Sequence, residues 1–399
     1  MLLKASIVGL VSIPAFLLVT AAAPAQRYHH KKWNTLDGKP SLIFGHRGDK
    51  AIMPEHTLGS YHLAAIEGAD YVEPDLAITK DGHLICNHDL HLSATTDVAE
   101  RPEFANRQRN LTDILDDVLV TIPNNWFIED FTLAELKTLR VKQAKVGVRP
   151  LYFDQTFEMP TFEEYLTLVQ DLSVRLNRPI GIVPELKHAA HSNKLHSDKP
   201  HYFENLVLDT LERFGYPRHS SQIKNATHIT INGKPPIPRG NVMLQNFEVE
   251  SARYLGKNSD HDVLMLVLAN AWALTPKGLD DIATFATHVG PWKEFFISDA
   301  ESAYKFKNIK LDSKQIRKLG GFIPPHRLVK EIHKRKLRAI GFTFYDKHEP
   351  SQLGCAKKCI VGTRTEELGY FFKQGIDGLF VEGVSNAIQI RNQFFNIKV

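Results

Sequence analysis

From residue 40 onward, short apolar runs alternate with stretches in which apolar residues recur every three or four positions. The runs at 41–45, 70–78, 83–87, 180–185, 241–247, 262–268, 338–344 and 377–381 read as strands. The stretches at 57–67, 161–172, 202–214 and 365–374 read as amphipathic helices. Repeated strand-then-helix order predicts an α/β fold with a parallel sheet, and the number of runs fits a TIM-type (β/α)8 barrel. An open doubly wound sheet is the alternative, but no glycine-rich dinucleotide fingerprint follows the first run.

One pair of runs breaks the alternation. Only Lys80-Asp81-Gly82 separates 70–78 from 83–87, a gap too short for a crossover helix, so an early β-hairpin is expected. A turn centred on Asp81 sets opposite each other residues whose numbers sum to about 162. Glu73 and Asp75, two apart on one strand face, then look toward His88. Two stretches read as loop insertions: about 94–156, mixed in character, and 187–201, rich in His, Ser and Lys and expected to be an exposed loop.

The chain has 399 residues, 43% hydrophobic and 24% charged, enough for a large core. The length allows two or three domains, yet single barrels also run this long, and the pattern is read as one barrel domain over 40–399. Before it, Lys4 precedes an apolar run broken by Pro14 and ended by Ala23-Pro24-Ala25. That is the layout of a signal peptide over 1–25, which implies a periplasmic or secreted protein; an uncleaved anchor is the other reading. No other segment approaches the ~20 apolar residues of a spanning helix, so no stable membrane insertion is expected after cleavage. The net charge is +4, with no long Lys/Arg run, which gives no reason to expect nucleic acid as a partner. Oligomeric state is not encoded in any of these patterns. Of three cysteines, Cys86 lies in an apolar run, while Cys355 and Cys359 are close enough either to pair or to remain two thiols.

Several polar residues interrupt the apolar runs. Glu73 and Asp75 lie in one strand and Glu185 in another. Buried carboxylates need partners: either local cations, a part Lys187 could play for Glu185, or a shared hard metal such as Ca2+ or Mg2+. His46 and His88 each end a run, where barrel enzymes keep reactive groups, and imidazoles transfer protons in either direction near neutral pH. Arg47 offers a two-pronged grip on an oxyanion, with Gly48 permitting close backbone approach, or else an ion pair with Glu55. Lys187 adds a second positive charge on the strand face of Glu185.

These segments resemble the glycerophosphodiester phosphodiesterase family, its exported periplasmic type in particular. The likeness is carried by His46-Arg47-Gly48, Pro54-Glu55-His56-Thr57, the stretch 68–76, Thr79-Lys80-Asp81-Gly82, His88-Asp89, Pro184-Glu185-Leu186-Lys187, Leu244-Gln245-Asn246-Phe247 and Gly378-Leu379-Phe380-Val381, in family order. The resemblance implies a TIM-type barrel whose Glu73, Asp75 and Glu185 bind Ca2+, or alternatively Mg2+. It implies His46 and His88 as acid/base pair and release of an alcohol and glycerol 3-phosphate from a small glycerophosphodiester; Arg47, Lys187 and Glu55 are the substrate-side candidates read from the residues themselves. A lysophospholipid or phospholipase D-like activity on the same barrel, or an inactive surface binding protein, are the rival expectations. Two segments depart from the family pattern, Phe342-Thr343-Phe344-Tyr345 and Glu382-Gly383, both expected near the substrate mouth.

Overall fold

The computed structural model describes residues 33–144, 149–222, 228–229, 237–346 and 362–397. The expected signal peptide and the Cys355/Cys359 pair lie outside these residues.

Strand formation begins with Leu42–Gly45. The second barrel strand runs in two segments, Tyr71–Val72 and Asp75–Ile78, and the third likewise, Gly181–Ile182 and Glu185–Leu186. Both breaks contain a proline, Pro74 and Pro184, which has no N–H to give the ladder. The two broken strands hold one register throughout: Tyr71 lies opposite Gly181 and Asp75 opposite Glu185. Met243–Asn246, Asp262–Val267, His288–Pro291, Arg338–Phe344 and Gly378–Val381 complete the set, each parallel to its neighbours. The last returns to the first, Gly378 opposite Leu42, so the sheet closes into a TIM-type barrel.

Strand alternation sorts the core into two layers. Ile43, Val72, Leu244, Val263 and Leu379 pack against the surrounding helices. Phe44, Tyr71, Val183, Met243, Leu264, Ile340 and Phe380 fill the interior. There Phe44 stacks between Tyr71 and Phe380, with ring centroids 4.8 and 4.9 Å apart. These rings plug the barrel, so polar chemistry is confined to the strand ends above them. Threonine caps start the helices where the pattern predicts them: Thr57 before Leu58–Ile66, Thr161 before Phe162–Arg175 and Thr363 before Arg364–Gln374, each with a reciprocal capping box.

The hairpin forms in the expected register. Leu84–Cys86 runs antiparallel to Asp75–Ile78, with Leu76 opposite Cys86 and Ile78 opposite Leu84. It is an addition to the barrel, so counting 83–87 among eight barrel strands is corrected. The remaining strand is His288–Pro291, which the hydrophobic pattern passes over because only Val289 in it is strongly apolar. Gly290 sits there because a Cβ would meet Leu266 at 2.9 Å. The expected exposed loop at 187–201 is also corrected. It contains the helix Ala189–Leu195, in which Ala189, His191 and Ser192 are buried. Its inward polar residues are not solvated: His191 lies 2.8 Å from Asp113 and 2.7 Å from Glu129, both in the 94–156 stretch, while Lys194 and 197–200 are exposed as expected. That stretch carries a second hairpin, Arg109–Leu115 with Val118–Asn125, packed on Leu90 and Phe127, and a separate small core that includes Leu92, Phe104, Trp126 and Phe131. Arg109 pins its base through Glu129 and Asp130.

Candidate active site

A cavity of about 550 Å3 opens at the C-terminal ends of the strands. His46, Arg47, Glu73, Asp75, His88, Glu185 and Lys187, from separate parts of the chain, all line it. Glu55 does not line it; it stands behind Arg47, accepting from Arg47 Nη1 at 2.8 Å and lying 3.6 Å from Lys50.

The chain leaves the first strand through a tight turn in which Arg47 (φ 59°) and Gly48 (φ 81°) both adopt left-handed conformations. The turn points the Arg47 backbone N–H at Glu73 Oε2, 2.8 Å away. Gly48 is required because a Cβ there would collide with Ser60, whose hydroxyl donates to the Arg47 carbonyl at 3.0 Å. His46, nearly buried, lies 3.9 Å from Glu73 Oε2 on one side and 3.5 Å from Glu382 Oε1 on the other.

The proline breaks position the acids. Each ends local pairing just where a carboxylate turns inward, and the shared register then sets Asp75 beside Glu185. One oxygen each of Glu73, Asp75 and Glu185 lie within 4.8 Å of one another, and all three residues are buried. Gln245 Nε2 donates to Glu73 Oε1 at 2.7 Å. Asp75 Oδ2 sits 2.8 Å from His56 Nε2, while its Oδ1 is buried without a hydrogen-bond partner. Glu185 Oε1 is 2.7 Å from Lys187 Nζ, the local ion pair the sequence allowed. Lys187 Nζ also reaches His88 Nε2 at 3.4 Å. Asp89 holds the other ring nitrogen of His88 at 2.6 Å.

Burial and crowding set the charges. Burial and neighbouring Asp75 push Glu73 up to about 8. Burial raises Glu185 well above its ordinary range against the pull of Lys187. Asp75 is held well below its ordinary value: burial opposes its charge, but His56 overcomes this. His88 is lowered to about 4 by burial, Arg47 and Lys187, and His46 falls well below 6.5 through burial, Lys50 and Arg47. Both imidazoles are therefore neutral and able to accept a proton at neutral pH.

Three further residues belong to this constellation and were not singled out from sequence. His56 orients Asp75 and is itself fixed by Tyr61 at 2.9 Å. Its only signal was its place beside Glu55 at a helix start. Gln245 lay in a quoted motif without a role. Glu382, noted as a departure, lies on the far side of His46 and is itself held by Lys50 at 3.1 Å and Arg149 at 2.8 Å.

Known proteins resemble this chain in sequence and fold. Residues 46–220 match the model of the glycerophosphoryl diester phosphodiesterase family. A glycerophosphodiester phosphodiesterase of Arabidopsis thaliana is 29% identical over 375 residues, covering 90% of this chain and 88% of that one. One from Haemophilus influenzae is 30% identical over 201 residues, 48% and 50% of the two chains. An Oleispira antarctica phosphodiesterase, solved with its product sn-glycerol 3-phosphate, superposes with a TM-score of 0.50 at 16% identity, over 88% of this chain and 96% of that one. The chain carries a glycerophosphodiester phosphodiesterase family domain, matched over residues 46–220.

Proposed function

We propose that the protein hydrolyses glycerophosphodiesters to an alcohol and sn-glycerol 3-phosphate, with His46 and His88 as proton carriers beside a divalent cation held by Glu73, Asp75 and Glu185. The observation that carries this reading is the shared cavity: two strand-end imidazoles and three converging buried carboxylates line one space. The Oleispira structure, with glycerol 3-phosphate as product, supports the substrate class.

The carboxylates fit a cation. Three ionised acids within 4.8 Å repel one another, and Asp75 Oδ1 is buried with nothing to bond to. An all-oxygen donor set suits a hard ion, and three carboxylates suit the loose coordination of Ca2+, with Mg2+ the alternative. When bound, such an ion supplies charge to a phosphate oxygen and lowers the pKa of a neighbouring hydroxyl.

The chain's own groups do the rest. Arg47 and Lys187 bring positive charge against the phosphate, where charge grows in the transition state. The same two cations depress His88, and Arg47 also depresses His46. A phosphate anion placed among them offsets that field and raises the imidazoles toward neutral pH, which prepares one to donate. One imidazole takes the proton of the attacking glycerol hydroxyl while the other protonates the departing alcohol oxygen. Water then opens the cyclic phosphate with the two roles exchanged. Asp89 fixes the His88 ring through its second nitrogen, Glu382 lies 3.5 Å from that of His46, and His56 holds Asp75.

Replacing either histidine tests this. His46→Ala or His88→Ala assayed on glycerophosphocholine should lose about 10²–10⁴-fold in kcat with unfolding behaviour intact. Turnover near that of the wild type in either variant removes the two-imidazole scheme.

Residues 1–25 support export of the chain to a periplasmic or extracellular location. Among the described residues no helix is long and apolar enough to cross a membrane.

A further inference from the structure

We propose that Lys50 is a positioning residue for the reaction: its ammonium stands behind the cavity, between the carboxylate that holds Arg47 and the carboxylate beside His46, and keeps the phosphate clamp and the imidazole in one arrangement. The inference rests on the phosphodiesterase reading above and adds to it a residue that touches no substrate. Lys50 does not line the cavity, yet it is only 5% exposed. A buried ammonium needs compensating charge, and two acids supply it. Lys50 Nζ lies 3.1 Å from Glu382 Oε1 and 3.6 Å from Glu55 Oε2.

Each of these acids is shared with a group of the site. Glu55 accepts from Arg47 Nη1 through Oε1, at 2.8 Å, and turns its other oxygen to Lys50. Glu382 accepts from Arg149 Nη2 through Oε2, at 2.8 Å, and its Oε1 lies between Lys50 and His46 Nδ1, 3.5 Å from the latter. Among the described residues, neither Glu55 Oε2 nor Glu382 Oε1 has a hydrogen bond, and both atoms are buried. The ammonium therefore offsets charge that no hydrogen bond satisfies. Contacts run without a break from Arg47 through Glu55, Lys50 and Glu382 to His46, joining the turn after the first strand to the end of the last.

A purely structural tie between those two segments is already present. Asp49, fully buried, accepts from the N–H groups of Ala51, Gly383 and Val384 at 3.1, 2.9 and 2.9 Å. Gln143 Nε2 donates to the carbonyls of Lys50 and Met53 and fixes the same loop from the insertion. The backbone is thus held without the Lys50 side chain. What the ammonium adds is the placement of two side chains. Without it Glu55 is left to Arg47 alone, and Glu382 to Arg149 and His46, so both site groups shift with their acids. A displacement of about 1 Å at reacting groups costs about a hundredfold in rate.

The test assays the full-length protein with Ca2+ on glycerophosphocholine. Lys50→Met keeps the stem and removes the charge. Lys50→Gln, one atom shorter and uncharged, keeps a donor for one acid and stands in if the methionine variant does not fold. Either should lower kcat by about ten- to a hundredfold, with KM within about threefold of the wild type. In a His46→Gln background the loss should shrink severalfold, because a residue that acts through a side chain has less to lose once that side chain is gone. A general weakening of the fold would cost the same in both backgrounds, and the unfolding midpoint is recorded for each protein. A kcat within about twofold of the wild type in a folded Lys50 variant, or an equal loss in the two backgrounds, would overturn the inference while the phosphodiesterase reading stands. No turnover by the wild type would end that reading, and the inference with it.

Discussion

Replacing Glu73 with glutamine should make the metal-free protein more stable and the metal-loaded protein less so. Glu73 ionises near 4.5 in the unfolded chain but keeps its proton to about 8 in the fold, because it is buried beside Asp75. Between those values the native state binds more protons than the unfolded one, so metal-free stability falls as pH rises and the loss is complete above about pH 8. A Coulomb figure sets the scale: two carboxylate charges within 4.8 Å at an effective dielectric of about 20 repel by about 3 kcal/mol. Glutamine has only one acceptor oxygen for the two donors that Glu73 now satisfies, the Arg47 N–H and Gln245 Nε2, which returns about 1 kcal/mol. The net expectation at pH 8 with chelator is a gain of about 2 kcal/mol for Glu73→Gln. Saturating Ca2+ reverses the order, since a hundredfold excess over Kd stabilises the wild type by about 2.7 kcal/mol and the variant little. Urea unfolding of both proteins, with chelator and with Ca2+, reads the crossing directly. A variant weaker than wild type under chelator, or an equal Ca2+ response in both, would refute the reasoning.

Two other outcomes follow from the surrounding framework. Gly48→Ala should destabilise the fold by more than about 1 kcal/mol and lower kcat by about tenfold or more, because the left-handed turn and the contact with Ser60 fix the Arg47 backbone; unfolding midpoint and turnover measure both. The clamp at His191 should be pH-dependent. Asp113 and Glu129 raise its pKa above the ordinary 6.5 despite burial, so its contribution is complete below that value and is lost as pH rises through the higher folded value. Protease cleavage within 109–125 should therefore increase from pH 6 to pH 9 in the wild type, and His191→Gln should show no such step.

Much of the barrel is legible because parallel strands buried on both faces read as continuous apolar runs. Where that condition fails, so does the reading. His288–Pro291 keeps a polar residue and a glycine in a core strand, since Gly290 makes room for Leu266 and Leu264. Pro74 and Pro184 are visible in the sequence, but their effect is not, because it depends on the register between two distant strands. The meeting of Glu73 and Asp75 with the neighbourhood of His88 was readable from a three-residue turn, a purely local feature. Glu185 could be suspected from its apolar setting, but its neighbours are fixed by barrel closure. His56 and Glu382 act at second hand, through Asp75 and His46, and residue type alone gave no hint of those partners. The helix Ala189–Leu195 was hidden for a similar reason: its polar residues suggest solvent, while the structure pairs His191 with carboxylates from the insertion.

The most direct measurement takes the full-length protein stripped of metal, supplies glycerophosphocholine, restores Ca2+ or Mg2+ in turn, and follows glycerol 3-phosphate. Product should be absent without a cation and return on adding one, with Ca2+ the more effective. Undiminished product formation in the presence of chelator would contradict the claim that Glu73, Asp75 and Glu185 converge to hold an ion.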